Sequence, residues 1–101
     1  VESVHGVCGF KRDKDAPELI PLLRGYVRSV YTVPVPVEDH WEPSDLARIS
    51  ESVGMKARAY TEIEPALTQA LEECPPRGIV LVAGSLFLVA EARRILNNYT
   101  W

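Results

Sequence analysis

Short apolar runs and longer amphipathic stripes alternate along this chain. Ser3–Gly9 is rich in Val and stops at a glycine, the pattern of a buried strand. From Asp15 to Tyr26, the residues Leu19, Ile20, Leu22 and Leu23 form a helical stripe. Asp15 and Glu18 have the spacing of a capping box, and Pro17 is compatible with a first turn. Pro21, about a turn further in, lacks an amide donor and predicts a kink. Ser29–Val35 reads as a second strand running into Pro34 and Pro36, which cannot donate to a ladder; residues 36–42 read as a loop. Pro43 and Ser44 open a helix with Leu46, Ile49 and Val53 on its apolar side and Gly54 at its end. Lys56–Tyr60 is a short strand of weaker pattern. Thr61 and Glu64 repeat the capping-box spacing ahead of the stripe Ala66, Leu67, Ala70 and Leu71, and Pro75, Pro76 and Gly78 then break the chain. Ile79-Val80-Leu81-Val82-Ala83 is apolar on both faces, the strongest strand pattern present. It turns at Gly84-Ser85 into a last helix reaching about Asn97.

Four strand-then-helix units in series predict an α/β fold. The expected form is a Rossmann-like open, mainly parallel sheet of about four strands with helices on both faces. Residues 1–101 are read as one domain. In such sheets ligands bind beyond the carboxyl ends of the strands, which singles out three loops: Gly9–Asp15, Val33–Trp41 and Ala83–Leu86.

Composition removes several function classes. The net charge of −3 gives no broad field for a phosphate backbone or an anionic membrane. The one basic knot, Lys11, Arg12 and Lys14, is interrupted by Asp13 and followed by Asp15. No apolar run approaches the ~18 residues of a membrane span. Cys8 lies in a strand pattern and Cys74 ends a helix pattern, and they read as reduced thiols of a cytoplasmic chain. His5 and His40 show no zinc spacing, so no metal site is expected.

Of the three loops, the Gly84-Ser85 turn is the most informative. Gly84 permits close backbone approach. Ser85 can cap the last helix, whose free N–H groups and dipole favour an anion; plain capping explains the same residue. No phosphate-binding Gly-x4-Gly-Lys-Ser/Thr loop exists, and the glycines around Ser85 are misplaced for a nucleophile elbow. The charges of the Gly9–Asp15 loop could position a carboxylate, a nucleotide phosphate or a neighbouring domain, or simply be solvated with Asp15 as a cap. An Asp–Lys receiver pocket is not supplied by the strand ends. His40 is read as solvated and Trp41 as packed under its Pro-rich loop, and Tyr99 and Trp101 follow the last helix. No catalytic pair or triad can be assembled.

Together these motifs resemble a family. Gly9 with Asp13-Lys14-Asp15 is similar to the GxxxDKD segment of folylpolyglutamate and dihydrofolate synthases, relatives of the Mur ligases. The strand and helix start from Val80 to Val89, through Gly84-Ser85-Leu86-Phe87, resemble that family's final strand–helix, and the run continues to Glu91. The Val-Tyr-Thr strand, the Pro-containing loop, Gly54 and Ala66–Ala70 follow in the same order. The resemblance covers nearly the whole chain and implies the C-terminal domain of such an enzyme.

It further implies an ATP-dependent ligase that activates a substrate carboxylate as an acyl phosphate for attack by L-glutamate, the acceptor being a folate or, in bifunctional members, dihydropteroate. The C-terminal domain closes over the site. Ser85, with Gly84, is the position carried over as glutamate-contacting; Asp13 and Asp15 match the Asp-Lys-Asp motif, with a role in binding or in loop structure. ATP and magnesium are expected in the full-length enzyme, with the phosphate loop and metal ligands on its N-terminal ATPase domain, and no tight cofactor on this chain. The family's segment ending in Asp-Gly-Ala-His-Asn-Pro is absent, so the chain is expected to lack a first strand and helix and to be inactive alone. A flavodoxin-like binding or regulatory module with an anion site at the last helix start, and a pure interaction domain, are the competing readings.

Overall fold

The computed structural model describes residues 3–98, so Tyr99 and Trp101 lie outside the described residues. Four strands, β1 (Val4–Cys8), β2 (Ser29–Thr32), β3 (Lys56–Ala59) and β4 (Ile79–Ala83), form one parallel sheet in the order β3-β2-β1-β4. The helices α1 (Ala16–Leu19), α2 (Pro43–Ser52), α3 (Ile63–Glu73) and α4 (Leu86–Asn97) follow the strands in turn. The α/β fold expected from the alternating pattern is therefore the one formed, and among the described residues every strand pair is parallel. No helix in that range is long and apolar enough to cross a membrane.

Strand periodicity sorts the core into two layers. Val7, Tyr31 and Val33 meet Ala66, Leu67 and Ala70 of α3 and Leu88, Ala92 and Ile95 of α4. Their strand neighbours Cys8 and Val30 face the other way, onto Ala16, Ile20, Leu46 and Met55. Helices thus cover both faces. Cys8 and Cys74 are both free, and burial pushes the Cys8 thiol up to about 12.

Four details differ from the pattern read in the sequence. Pro21 does more than kink the first helix: α1 lasts four residues and tightens into a 3₁₀ turn at Ile20–Leu23. There Pro21 has no N–H for an α-helical bond. β2 stops at Thr32, three residues early, because Pro34 cannot continue the ladder; Val33 and Val35 are still buried. The Thr61 capping box does not form, and Glu62 is the N-cap of α3 with no side-chain bond. His40 is half-buried, its Nδ1 2.8 Å from the Val37 carbonyl oxygen. The strand order, which the sequence left open, puts β4 at an edge among the described residues. Val80 and Val82 pack on the α3–α4 layer, but Ile79 is 47% exposed and Leu81 38% exposed.

At the amino end of the sheet, a polar chain fastens α3 to the strands. The Tyr31 hydroxyl donates to Glu73 at 2.5 Å, while Arg58 and Gln69 also donate to that carboxylate. With its proton directed at Glu73, the Tyr31 oxygen accepts from Nδ1–H of buried His5, 2.9 Å away. Hydrogen bonds from Tyr31, Arg58 and Gln69, in that order, hold the Glu73 carboxyl down at about 2, against an ordinary 4.5. A carboxyl depressed by folding stabilises the fold above its unfolded value and loses that contribution as pH falls through the folded one. Glu73→Gln is therefore expected to flatten the loss of stability between about pH 4.5 and pH 2. Urea midpoints measured across that window check this, and a variant with the wild-type slope would contradict it.

Candidate functional site

The three loops picked out by the alternating pattern meet at the carboxyl end of the sheet. Gly84 follows β4 with φ +113°, and a Cβ built there would lie 2.2 Å from the Gly9 carbonyl oxygen. Only glycine allows this approach, which sits beside the Gly9 N–H to Ala83 carbonyl bond of 3.3 Å. Gly9 is confined too, though less tightly: a Cβ on it would fall 2.7 Å from the Val33 carbonyl oxygen. The exits of β1, β2 and β4 are thereby pressed together.

Ser85 then starts α4 in an extended conformation. Its Oγ accepts from the Phe87 N–H at 3.1 Å and its carbonyl from the Val89 N–H at 3.0 Å. The N-cap expected from the sequence is thus formed. A hydroxyl that accepts one bond still has its O–H to donate. Around this helix start lies a cleft of about 440 Å³, lined by Gly84, Ser85, Leu86 and Phe87 together with Lys11 and Lys14. Lys11 Nζ stands 5.8 Å from the Phe87 ring centroid. Leu86 and Phe87, 87% and 51% exposed, make an apolar lip. No carboxylate lines this cleft, and the positive end of the α4 dipole adds to the two ammonium groups.

The lysine loop is held from behind. The Lys14 N–H bonds the Lys11 carbonyl at 3.0 Å, a turn that brings both lysines to one side. The loop is stitched to the 33–42 connection by the Lys11–His40 bridge and by the bonds Arg12 N–H to Asp39 carbonyl and Trp41 N–H to Phe10 carbonyl, both 3.0 Å. The Trp41 indole donates to the Lys14 carbonyl at 2.9 Å, and the Arg12 guanidinium stacks 4.0 Å from its ring. Trp41 and His40 therefore brace the loop that carries the lysines.

Of the four residues picked from the sequence, Gly84 and Ser85 line the cleft, whereas Asp13 and Asp15 do not. Asp13 is exposed, and the Asp15 carboxylate accepts from the Glu18 N–H at 3.2 Å as the cap of α1. Lys11 and Lys14 were visible as charges in this loop, but the turn that sets both on the lining of the Ser85 cleft leaves no trace in spacing. Within the described residues, no group of three or more His, Cys, Asp or Glu could hold a metal. What the arrangement can do is bind an anion: two ammonium groups, a free hydroxyl proton and helix-start N–H groups converge on one small volume.

No family model matches this chain. A protein of Haloferax volcanii named "Probable bifunctional folylpolyglutamate synthase/dihydropteroate synthase" is 33% identical over 93 residues, 91% of this chain. One of the same name from Halobacterium salinarum is 45% identical over 60 residues, 57% of the chain. The likeness is to folylpolyglutamate synthases. Among solved structures, the bifunctional folylpolyglutamate synthase/dihydrofolate synthase of Yersinia pestis matches 96% of the chain at 27% identity, with a TM-score of 0.83. E. coli FolC in complex with DHPP and ADP matches the same share at 21% identity and a TM-score of 0.86, which speaks for the fold alone. The chain resembles the C-terminal domain of these enzymes, as its two motifs imply. It spans 11% and 7% of the two curated relatives and 22–23% of the two solved chains.

Replacing Gly84 tests the convergence of the loops. Gly54, at φ +89°, has nothing within 4 Å of a built Cβ, so Gly54→Ala is expected to cost only left-handed strain, about 1–2 kcal/mol. Gly84→Ala adds a clash with backbone and is expected to cost clearly more, in the upper part of the roughly 0.5–3 kcal/mol range of single substitutions or beyond it. Denaturant midpoints of the two variants decide; equal losses would mean that the Gly9 contact relaxes freely.

Proposed function

We propose that this chain is the C-terminal, substrate-closing domain of an ATP-dependent ligase that adds L-glutamate to folate through an acyl phosphate. The observation that carries the reading is the Lys11–Lys14–Ser85 cleft at the start of α4, in a chain whose relatives over most of its length are named folylpolyglutamate synthases. A second, dihydrofolate synthase activity is part of the proposal in the sense that the Yersinia pestis neighbour is named for it. The two curated relatives are named instead for dihydropteroate synthase.

In this reading the cleft holds a carboxylate of the incoming glutamate. The α4 N–H groups and the Ser85 hydroxyl donate to its oxygens, Lys11 and Lys14 neutralise it, and the Leu86–Phe87 lip limits water. Charge-assisted bonds of this kind are the stronger ones. Asp15 serves the loop by capping α1, and exposed Asp13 stands beside the lysines as part of the same turn. One neighbour was solved with AMPPNP and manganese, which supports nucleotide and metal use by the whole enzyme. ATP with magnesium is the proposed form. In this reading the ion and the phosphate loop belong to the N-terminal ATPase domain of the proposed longer protein. A cytoplasmic setting is included in the proposal, and the two free thiols suit it.

Titration of the ¹⁵N-labelled chain with L-glutamate is expected to move the amides of Lys11, Lys14 and Gly84–Leu86. Ser85→Ala together with Lys14→Ala should weaken this response by at least about tenfold, the scale of one lost charge-assisted bond. Silence at millimolar glutamate with a response to inorganic phosphate would favour a binding module for another anion. Silence to both would favour an interaction domain. The chain alone is expected not to catalyse, and glutamate- and folate-dependent ATP hydrolysis by these 101 residues would refute that.

A further inference from the structure

A second concavity lies on the α3–α4 layer. It is a groove of about 800 Å³ bounded by the Pro34–Pro36 segment, α3 and the middle of α4. Its rim carries Glu62, Glu64, Glu72 and Glu91 against the single cation Arg94. Arg94 is paired with Glu91, whereas no ion pair forms at Glu62, Glu64 or Glu72 among the described residues. The lining therefore has a formal charge of −3, from four glutamates and one arginine, equal to the net charge of the whole chain. The rest of the molecule is balanced, and its negative excess is gathered on this one face.

Apart from Thr68 and Gln69, the uncharged lining of the groove is apolar. Buried Val35 and Ile95 underlie it, and half-buried Ile63 and exposed Pro36 and Pro65 present hydrocarbon to the opening. From Glu62 to Glu72 the acidic edge follows α3 for roughly 15 Å, at 1.5 Å per residue. An elongated trough of this length, apolar along its floor and acidic along its rim, suits a short protein segment. It is the mirror image in charge of the lysine cleft, so an anionic substrate is repelled from it.

From this geometry we infer that the α3–α4 groove docks a cationic amphipathic segment of a partner protein. Apolar residues of that segment lie on Ile63, Pro36 and Pro65, and its Lys or Arg side chains reach the glutamate rim. Long basic side chains do this well, because their hydrocarbon stems rest on apolar surface while the charged ends stay at the edge. The helix-in-groove mode of recognition uses the same division of labour. Complementary charge also speeds encounter and makes it sensitive to salt.

The test uses the ¹⁵N-labelled 101-residue chain and a synthetic Leu/Lys peptide of helical spacing, with a Leu/Glu peptide of the same pattern as control. The Leu/Lys peptide should shift amides of residues 62–72 and 91–95, and salt should weaken it. Glu62→Lys combined with Glu64→Lys should weaken binding by about tenfold or more. Glu18→Lys with Glu51→Lys, the same change in net charge at exposed sites outside the groove, should leave it unchanged. Equal loss in both double variants, shifts scattered over the surface, or equal binding of the Leu/Glu peptide would overturn the inference. Absence of binding at millimolar peptide would do so too. So would light scattering that shows the peptide-free chain already dimeric, with residues 62–72 protected by a second copy. Loss of the glutamate response at Ser85 would leave this result untouched, since the two sites share no lining residue.

Discussion

At the carboxyl end of the sheet the backbone of Gly9 crosses so close to the Cα of Gly84 that no side chain fits between them. β1 and β4 are neighbours in the ladder, and their loops lead to helices on opposite faces of the sheet. The missing methyl groups let both loops start side by side, and Gly9 is confined on its other flank by the Val33 carbonyl. The position of Ser85, the aim of the lysine loop and the bracing by Trp41 all follow from that contact. A constraint made of backbone is stiff, because it has no rotamer to relax through.

The polar groups are then divided by place. Cations gather where the strands end, at the start of α4, and anions gather on the outer face of the α3–α4 layer. The Tyr31–Glu73–Arg58 chain holds the opposite end of the sheet, where α3 finishes. Recognition and fastening thus use separate residues, and the cleft is free of the carboxylates that would compete for its lysines. A helix dipole and two ammonium groups act together only if such competitors are kept away.

Local chemistry made much of this legible in the sequence. Periodicity located all four strands and four helices, the Asp15 and Ser85 caps formed as their spacing implied, and Gly54 ended α2. Some of what failed was local, and some was decided at longer range. Thr61 has the right spacing for a cap, yet the chain turns one residue later, at Glu62. Ser29–Val35 looks like one strand, but β2 ends as soon as a proline would have to donate. The turn that brings Lys11 beside Lys14, and the indole that holds it, depend on a loop about 27 residues away in sequence. The likeness to folylpolyglutamate synthases rested on motifs, and the geometry adds to them the cationic lining of the cleft.

The strand most obvious in the sequence is also one that leaves large apolar side chains in the open. β4 carries neither Lys nor Pro, among the described residues it pairs with β1 alone, and Ile79 and Leu81 are exposed. Natural sheets usually blunt such edges with charge, proline or a bulge. A five-residue run of Ile, Val, Leu, Val and Ala has the composition that templates cross-β stacking. In these 101 residues Ile79–Ala83 therefore offers an incoming strand both a ladder to pair with and an apolar face to rest on.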